Sequence, residues 1–359
     1  MSISVPDCRK FPALEFTTTP QDWLQIRKSG EVCKDESNVQ FLHMPKSKKV
    51  RIDINKEHPD DEIDACAENE GPWNSKLDSY FSSQNERFQD AEFVFDSDWT
   101  LTDVLKLPFM FDSVSEHFQK IRYRISKSNG KIYIRGFINE STSSGYGYRP
   151  ERKISDKLRF MYSFLSSSRD IEPDVSSPIK NQETRTLVTY YSALGEHKMF
   201  YPASVDGFDK DVDLESIKGD TIAQLKFFRK KDGSYVGWRS SLNYWAKLMV
   251  AQGKLIAGYY NIQLNDGIVK SWKILDAEQL YKNVESSWEF YEKTPPPSKF
   301  LGINFLNDFL SFLKTELQDA KANEVYEFEF DASDPAREGK LSLFEYTSEV
   351  PAWFDFRSL

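Results

Sequence analysis

Hydrophobic positions along this chain alternate with a two-residue period in several segments, which predicts strands. Alternating apolar residues run over 121–125 and resume over 132–134, on either side of Asn129-Gly130. An Asn-Gly pair between two such runs is a strong signal for a β-hairpin. A second hairpin is predicted for 254–263 and 268–275, joined through Asn-Asp-Gly at 265–267. Further strands are expected at 185–192, 198–206, 221–229, 324–331 and 340–346.

Other segments place apolar residues three and four positions apart, which predicts helices. A short helix is expected after Asp98-Trp99-Thr100 and is predicted to stop at Pro108, because proline lacks a backbone N–H. A helix over 240–252 is predicted to end with Gly253 as its cap. Further helices are expected at 73–88, 151–168 and 303–321.

These strands and helices interleave without a regular β-α-β repeat, which favours an α+β fold with mixed sheets. Residues 1–70 are polar and show no clear period, so they are expected to form an irregular segment that wraps the surface or lines an entrance. A chain of 359 residues exceeds the usual domain size, but a β-rich mixed fold of this length can be one unit.

The aromatic content is high, with 27 Phe, 17 Tyr and 8 Trp, which is enough for a large core and a ligand cleft. Trp245 lies on an apolar helical face and is expected in that core. The formal net charge is −9, so the whole molecule is not expected to attract nucleic acid. Any contact with RNA must come from a local basic groove.

The cysteines indicate a reducing compartment. Cys8, Cys33 and Cys66 are far apart and lack metal-binding spacing. No segment has the apolar length of a membrane span or a signal peptide core. The chain is therefore expected to be intracellular, in the nucleus or the cytoplasm.

Two segments carry residues of the kind found in magnesium-dependent nucleases: Ser204-Val205-Asp206 and Gln224-Leu225-Lys226. Such enzymes hold two ions about 3.5–4 Å apart. Mg²⁺ relies on carboxylate oxygens at these sites. Asp206 and Lys226 suit this chemistry, whereas Ser204 and Gln224 stand where carboxylates are needed.

The order of motifs resembles the DXO family of RNA 5′-end decapping and 5′–3′ exonucleolytic enzymes. Residues 192–206 resemble the family's strand pair that ends in Glu-hydrophobic-Asp, and 222–226 its Glu-hydrophobic-Lys strand. Residues 243–247 resemble the helix that supplies a glutamine after Trp-Ala. The resemblance implies one domain over 1–359, with the nuclease-like core at 95–359. It also implies two mixed, twisted β-sheets that form a central cleft flanked by helices.

The resemblance also implies roles for individual residues, several of which depart from the family's pattern. Asp206, Gln224 and the Leu225 carbonyl would be the ligands of Mg²⁺ or Mn²⁺, and Lys226 would join Asp206 and Gln224 as a catalytic residue. Family carboxylates correspond to Ser204 and, counted from Met161-Tyr162, to Ser168 in the helix over 151–168, and the family glutamine corresponds to Lys247. RNA contacts are expected from Asp98, which replaces an arginine, and from Trp99, Lys226, Arg229 and Lys247.

Charge counting favours weak or absent hydrolysis, because three carboxylates are replaced by neutral residues. The chain would then bind RNA 5′ ends or act as a regulator. One alternative is an active nuclease with relocated ligands, for example with Asp211-Val212-Asp213 in the place of Ser204-Val205-Asp206. Another is a protein-interaction module, since some relatives partner a nuclear 5′–3′ exoribonuclease.

Overall fold

The computed structural model describes most of the chain, in segments. The segments are residues 2–4, 13–27, 29–47, 49–54, 61, 90–110, 121–137, 150–174, 177–178, 184–230, 237–261, 267–292, 295–321, 324–330 and 338–344. The helix predicted at 73–88 and the first two residues of the turn at 265–267 lie outside them.

Seventeen strands of the described chain, numbered in sequence order, form two sheets. They are β1 Ser2–Ser4, β2 Phe16–Arg27, β3 Val32–Cys33, β4 Phe41–Leu42, β5 Lys49–Asp53, β6 Phe93–Phe95, β7 Ile121–Ser128, β8 Lys131–Phe137, β9 Leu165–Ser166, β10 Thr184–Leu194, β11 His197–Ser204, β12 Gly207–Asp209, β13 Ile222–Lys230, β14 Lys254–Asn261, β15 Ile268–Leu275, β16 Val325–Phe330 and β17 Glu338–Leu343. The helices are α1 Asp98–Met110, α2 Pro150–Tyr162, α3 Trp238–Ala251, α4 Ala277–Glu292 and α5 Phe300–Glu316.

Both sheets are mixed, which confirms the predicted α+β class. The ten-stranded sheet has the order β1-β17-β16-β7-β8-β6-β11-β10-β2-β3, and β6 is parallel to both of its neighbours. The seven-stranded sheet has the order β5-β15-β14-β13-β12-β4-β9, with parallel pairs at β13–β14 and β12–β4. The chain passes from the first sheet to the second between β11 and β12.

The irregular structure expected for residues 1–70 is wrong for the described part of that segment. The strand β2 is 12 residues long and pairs along the whole of β10, with Arg27 opposite Thr184. The strands β4 and β5 belong to the other sheet. The local sequence is polar because alternate residues of β2 are exposed to solvent. Its strand structure depends on pairing with β10, which lies far along the chain, so the local sequence did not indicate it.

The hairpin of β7 and β8 confirms the predicted turn at Asn129-Gly130. Asn129 and Gly130 have φ values of 48° and 77°, so both central residues occupy the left-handed region that this tight turn requires. The predicted strands of the remaining described segments are confirmed with ends shifted by a few residues.

Several helix boundaries differ from the prediction, among them both ends of α5, which runs over Phe300–Glu316 instead of 303–321. The helix α1 continues through Pro108 to Met110, because a proline in the last turn removes only one late hydrogen bond. The helix α2 ends at Tyr162 instead of 168, since β9 turns away to pair with β4. At the end of α3, Gln252 (φ 53°) takes the cap position and Gly253 follows it.

The helices pack on the sheets through aromatic side chains. Trp245 of α3 is 2% exposed, as predicted for a core residue, and its ring lies 5.9 Å from that of Phe109 and 5.1 Å from that of Tyr281. These contacts join α1, α3 and α4. A separate cluster packs Phe160 of α2 against Leu225 and its neighbours on the seven-stranded sheet. Each face of that sheet therefore carries its own hydrophobic layer.

Candidate functional site

Asp206 lies in the two-residue link between β11 and β12, where the chain crosses from one sheet to the other. Its carboxylate Oδ2 accepts a hydrogen bond from the Leu225 N–H at 2.7 Å. Its own N–H donates to the Ala223 carbonyl at 3.2 Å. Because Val205 is buried in the main core, the alternation of the chain directs Ser204 and Asp206 to the other side. Strand β13 thus fixes Asp206 at the junction.

The neighbouring positions on β13 alternate in the same way. Leu225 packs into the cluster beneath α2, while Gln224 and Lys226 project from the opposite face. Gln224 is 3% exposed, and its Nε2 donates to the Ser204 carbonyl at 2.7 Å. A glutamate here would place a carboxylate oxygen against that carbonyl oxygen. The Gln224 amide therefore links β13 to the end of β11 by donating a hydrogen bond, which an ionised carboxylate could not do.

Ser204 is held by two further partners. Its Oγ accepts a hydrogen bond from the Arg185 guanidinium at 2.6 Å, and its N–H donates to Asp98 Oδ1 at 3.4 Å. The sequence reasoning missed Arg185, because no motif includes it. The hairpin register carries a signal, however: Leu187 of β10 pairs with Ser204, which places residue 185 beside the link that holds Asp206.

Asp98 and Lys247, both predicted to contact RNA, lie next to each other. Asp98 begins α1 and is 2% exposed, and the Nζ of Lys247 on α3 lies 3.7 Å from its Oδ2. A second polar link joins the same two helices, from Lys106 Nζ to Asn243 Oδ1 at 2.6 Å. The two helices thus meet beside the Ser204 end of β11 through a buried ion pair and a hydrogen bond.

Tyr244 connects Lys226 with Asp206. The Nζ of Lys226 lies 5.7 Å from the centre of the Tyr244 ring. Burial raises the pKa of Tyr244 well above its usual value, and the negative charge of Asp206 raises it further. Lys226, Tyr244 and Asp206 therefore form one charged neighbourhood.

Two other predicted RNA-contacting residues are placed differently. Trp99 follows Asp98 in α1 and is 43% exposed, with the Lys106 ammonium 5.7 Å from its ring. Arg229 belongs to β13, but its side chain lies outside the described part of the structure.

Ser168 does not lie in a helix, so that expectation is wrong. It follows β9 in a bend, and its Oγ accepts hydrogen bonds from the N–H groups of Asp170 and Ile171 at 3.2 and 3.3 Å. Its carbonyl bonds to His43 Nε2 at 2.8 Å. These contacts shape the turn after β9, which explains why the helix stops before Ser168.

The alternative register at residues 211–213 falls in turns beyond β12. There the Arg169 guanidinium donates to the carbonyls of Lys210 and Val212, at 2.7 and 2.8 Å. Asp206, in contrast, is bonded directly to β13. The structure therefore favours the register that contains Asp206.

The donors at the junction do not fit a pair of divalent cations. Within the described segments, no group of three or more His, Cys, Asp and Glu side chains could hold a metal ion. Asp206 offers a carboxylate with one oxygen already bonded, and the Gln224 amide nitrogen points at Ser204. The other nearby carboxylate, Asp98, is paired with Lys247. Magnesium and manganese require more anionic oxygen than this set supplies.

An aspartate bonded to a strand that carries a lysine is the arrangement expected above for a nuclease, and it lies where the two sheets meet. The chain belongs to the family described as RAI1-like PD-(D/E)XK nucleases, whose model matches residues 24–355. The match starts well before residue 95, where the resemblance was expected to begin, and takes in the last four residues of β2. The described residues contain no helix long and apolar enough to cross a membrane.

Solved structures of this family share the fold at low sequence identity. Rai1 of Scheffersomyces stipitis, in complex with (3′-NADP)⁺ and calcium, has a TM-score of 0.73 at 14% identity, covering 96% of this chain and 92% of that one. Rai1 of Candida albicans, in complex with pU5 and Mn²⁺, has a TM-score of 0.70 at 14% identity, with 100% of both chains covered.

A mutant of S. pombe Rai1 is also similar. In that mutant one glutamate is replaced by serine and two by glutamine, and it was crystallised in complex with 3′-FADP. Its TM-score is 0.65 at 14% identity, covering 96% of this chain and 99% of that one. Comparison with curated protein sequences found no match.

Proposed function

We propose that this chain binds RNA 5′ ends in RNA quality control and hydrolyses them weakly or not at all. The observation that carries the proposal is the hydrogen bond from Gln224 Nε2 to the Ser204 carbonyl. It turns a position that holds a metal-binding acid in the resembled motif into a hydrogen-bond donor within the protein. Among the described residues of that strand pair and its link, Asp206 is the one carboxylate near Gln224, which supports a site too poor in ligands for two-metal catalysis.

The relatives support both halves of this proposal. The Candida albicans Rai1 structure holds pU5 with Mn²⁺, and the S. pombe Rai1 mutant holds 3′-FADP although three of its glutamates are serine or glutamine. Ser204 and Gln224 are the same residue types. Loss of acidic side chains is thus compatible with a pocket that still takes a nucleotide ligand.

The second candidate is an active decapping nuclease or 5′–3′ exoribonuclease with relocated ligands. Asp98 favours it, because this buried carboxylate reaches the Ser204 N–H at 3.4 Å and supplies a second acid near Asp206. Asp98 and Asp206 would then be the carboxylates and Lys226 the cation beside the phosphate. The ion pair of Asp98 with Lys247 opposes this, since it must break to free the acid.

An activity assay separates the two candidates. Purified protein is incubated with capped, triphosphorylated and monophosphorylated RNA in Mg²⁺ or Mn²⁺, beside the Asp206→Ala variant. We expect the wild-type protein to release cap or nucleotide only in trace amounts or not at all. Multiple-turnover release by the wild-type protein that disappears in Asp206→Ala establishes the active nuclease instead.

A binding titration tests the proposal against the third candidate, a protein-interaction module. We expect 5′-phosphorylated RNA to bind at low salt. A complete lack of binding favours a module that acts through a protein such as a 5′–3′ exoribonuclease, and a pull-down with that partner then measures the association.

A further inference from the structure

Side chains of the ten-stranded sheet hold the last turn of α3. The final carbonyls of a helix have no partner within the helix and need another donor. The Ala251 carbonyl accepts from the Tyr190 hydroxyl, and the Val250 carbonyl accepts from the Tyr201 hydroxyl at 2.9 Å. Val250 and Ala251 are fully buried, so water does not take the place of these donors. Strands β10 and β11 thus cap α3.

The residue after this turn has an unusual backbone conformation. Gln252 has φ 53° and ψ −163°, a combination that glycine adopts readily and that other residues adopt only under strain. Gly253 follows with φ 89°, so the chain leaves α3 through two consecutive residues of positive φ. The backbone of Gln252 is therefore strained, and the surrounding structure must offset that strain.

The side chain of Gln252 connects the two sheets. Its Nε2 donates to the Thr18 carbonyl of β2 at 2.6 Å, which links it to the ten-stranded sheet. On its other side it packs against Gly219, shortly before β13 of the seven-stranded sheet begins. A Cβ added to Gly219 would stand 2.8 Å from the Gln252 Cβ, so glycine is needed to leave room for this side chain.

We infer that Gln252 is a conformational strap, which holds β2 and the start of β13 together at the end of α3. The strained backbone is the consequence of directing this side chain to Thr18. The strap also fixes the helix whose Tyr244 and Lys247 lie beside the junction of the sheets. The inference goes beyond the proposed function and does not require that the protein binds RNA.

The first test measures the strain by urea denaturation of Gln252→Gly and Gln252→Ala. Both variants lose the hydrogen bond to Thr18, but only glycine relaxes the backbone. We expect the urea midpoint of Gln252→Gly to be about 0.3 M higher than that of Gln252→Ala. A midpoint of the glycine variant equal to or below that of the alanine variant overturns the inference.

The matched control uses Ser286, an exposed residue inside α4. In a regular helix glycine is less favourable than alanine, so Ser286→Gly should unfold at lower urea than Ser286→Ala. The order of the two substitutions is thus expected to reverse between positions 286 and 252. This reversal separates backbone strain at Gln252 from a general effect of glycine.

The second test measures the strap by hydrogen–deuterium exchange of the intact protein. In Gln252→Gly, we expect the amides of the last turn of α3 and those around Thr18 to exchange about fivefold faster than in the wild type. The hairpin of β7 and β8 should exchange at the wild-type rate. Wild-type exchange at both ends of the strap contradicts the inference, and so does equal acceleration in the hairpin, which indicates a global loss of stability.

A further variant keeps the test decisive if Gln252→Ala or Gln252→Gly fails to fold. Gln252→Asn keeps an amide on a side chain that is one methylene shorter, so the hydrogen bond to Thr18 is lost while the polar group remains. It should show the same local acceleration of exchange as Gln252→Gly. Wild-type exchange in Gln252→Asn contradicts the strap.

Discussion

The amide nitrogen of Gln224 makes this position of the junction a hydrogen-bond donor instead of a negatively charged acceptor. Its Nε2 donates to the Ser204 carbonyl in a position that is 3% exposed, so water does not replace the partner if the donor is lost. Burying an unpaired polar group costs more than the hydrogen bond contributes. The residue therefore has a structural reason to remain an amide.

The variant Gln224→Glu tests this reason. It sets a carboxylate oxygen against the Ser204 carbonyl and should lower the free energy of unfolding by about 1–3 kcal/mol at neutral pH, measured by urea denaturation. At acidic pH part of this loss should be recovered, because the protonated carboxyl introduced at position 224 can again donate a hydrogen bond. The carbonyl of Ser204 raises the pKa of this carboxyl in the folded state. The loss of stability is therefore full above that pKa and decreases as the pH falls below it.

The matched control is Gln318→Glu, which makes the same change of charge at an exposed position just after α5. It should change stability by less than about 0.5 kcal/mol. Equal stability of Gln224→Glu and the wild type at neutral pH contradicts the role assigned to the amide.

Among the elements, the short strand β12 controls how the second sheet begins. It pairs with β13 on one side and with β4 on the other, directly after Asp206. A side-chain Cβ on Gly207 would stand 2.7 Å from Leu165 Cδ2 and 2.9 Å from the Gln40 carbonyl oxygen. Glycine permits this close approach of β12 to the residues around it.

Gly207→Ala should therefore destabilise the protein by about 1–3 kcal/mol, the usual cost of overpacking, as measured by thermal or urea denaturation. It should also weaken RNA binding, because the displaced strand begins directly after Asp206. The control is Gly237→Ala at the start of α3, where an added Cβ meets nothing within 4 Å. Similar stabilities of the two variants contradict the packing argument.

The elements also show what the sequence could predict. The hairpin at Asn129-Gly130 and the core position of Trp245 follow from local turn chemistry and spacing, and both are confirmed. The helix α4 was missed, although buried Leu280, Val284 and Trp288 recur at helical spacing. The strand β2 had no comparable signal, because its pairing with β10 is a contact between distant segments.

In the site, too, local signals were predicted and contacts between distant segments were not. The pairing of Asp206 with β13 was predicted from two short motifs, and the hydrogen bond to Leu225 agrees with it. Arg185 and the ion pair of Asp98 with Lys247 depend on how β10, α1 and α3 meet in space. No spacing along the chain encodes that meeting.

For the whole molecule, the formal net charge of −9 opposes RNA, so the binding of an RNA 5′ end depends on local basic groups and on salt. Each phosphate neutralised on a single strand contributes a slope of about −0.7 to log K against log salt. Binding confined to about three phosphates of an RNA end should give a slope no steeper than about −2, measured by anisotropy between low and physiological salt. A much steeper slope shows that RNA follows a longer basic path over the surface.

The pairing of β2 with β10 has a consequence during translation. Arg27 of β2 pairs with Thr184 of β10, so this pairing cannot form before Thr184 is synthesised. About 150 residues lie between the two, and their synthesis takes about 8–30 s. Until then the nascent chain carries a 12-residue strand whose edge towards β10 is unsatisfied, a state in which strands aggregate readily. The strand β2 can complete its pairing with β10 only after half of the polypeptide has been synthesised, so we expect the nascent chain to aggregate unless a chaperone shields that strand.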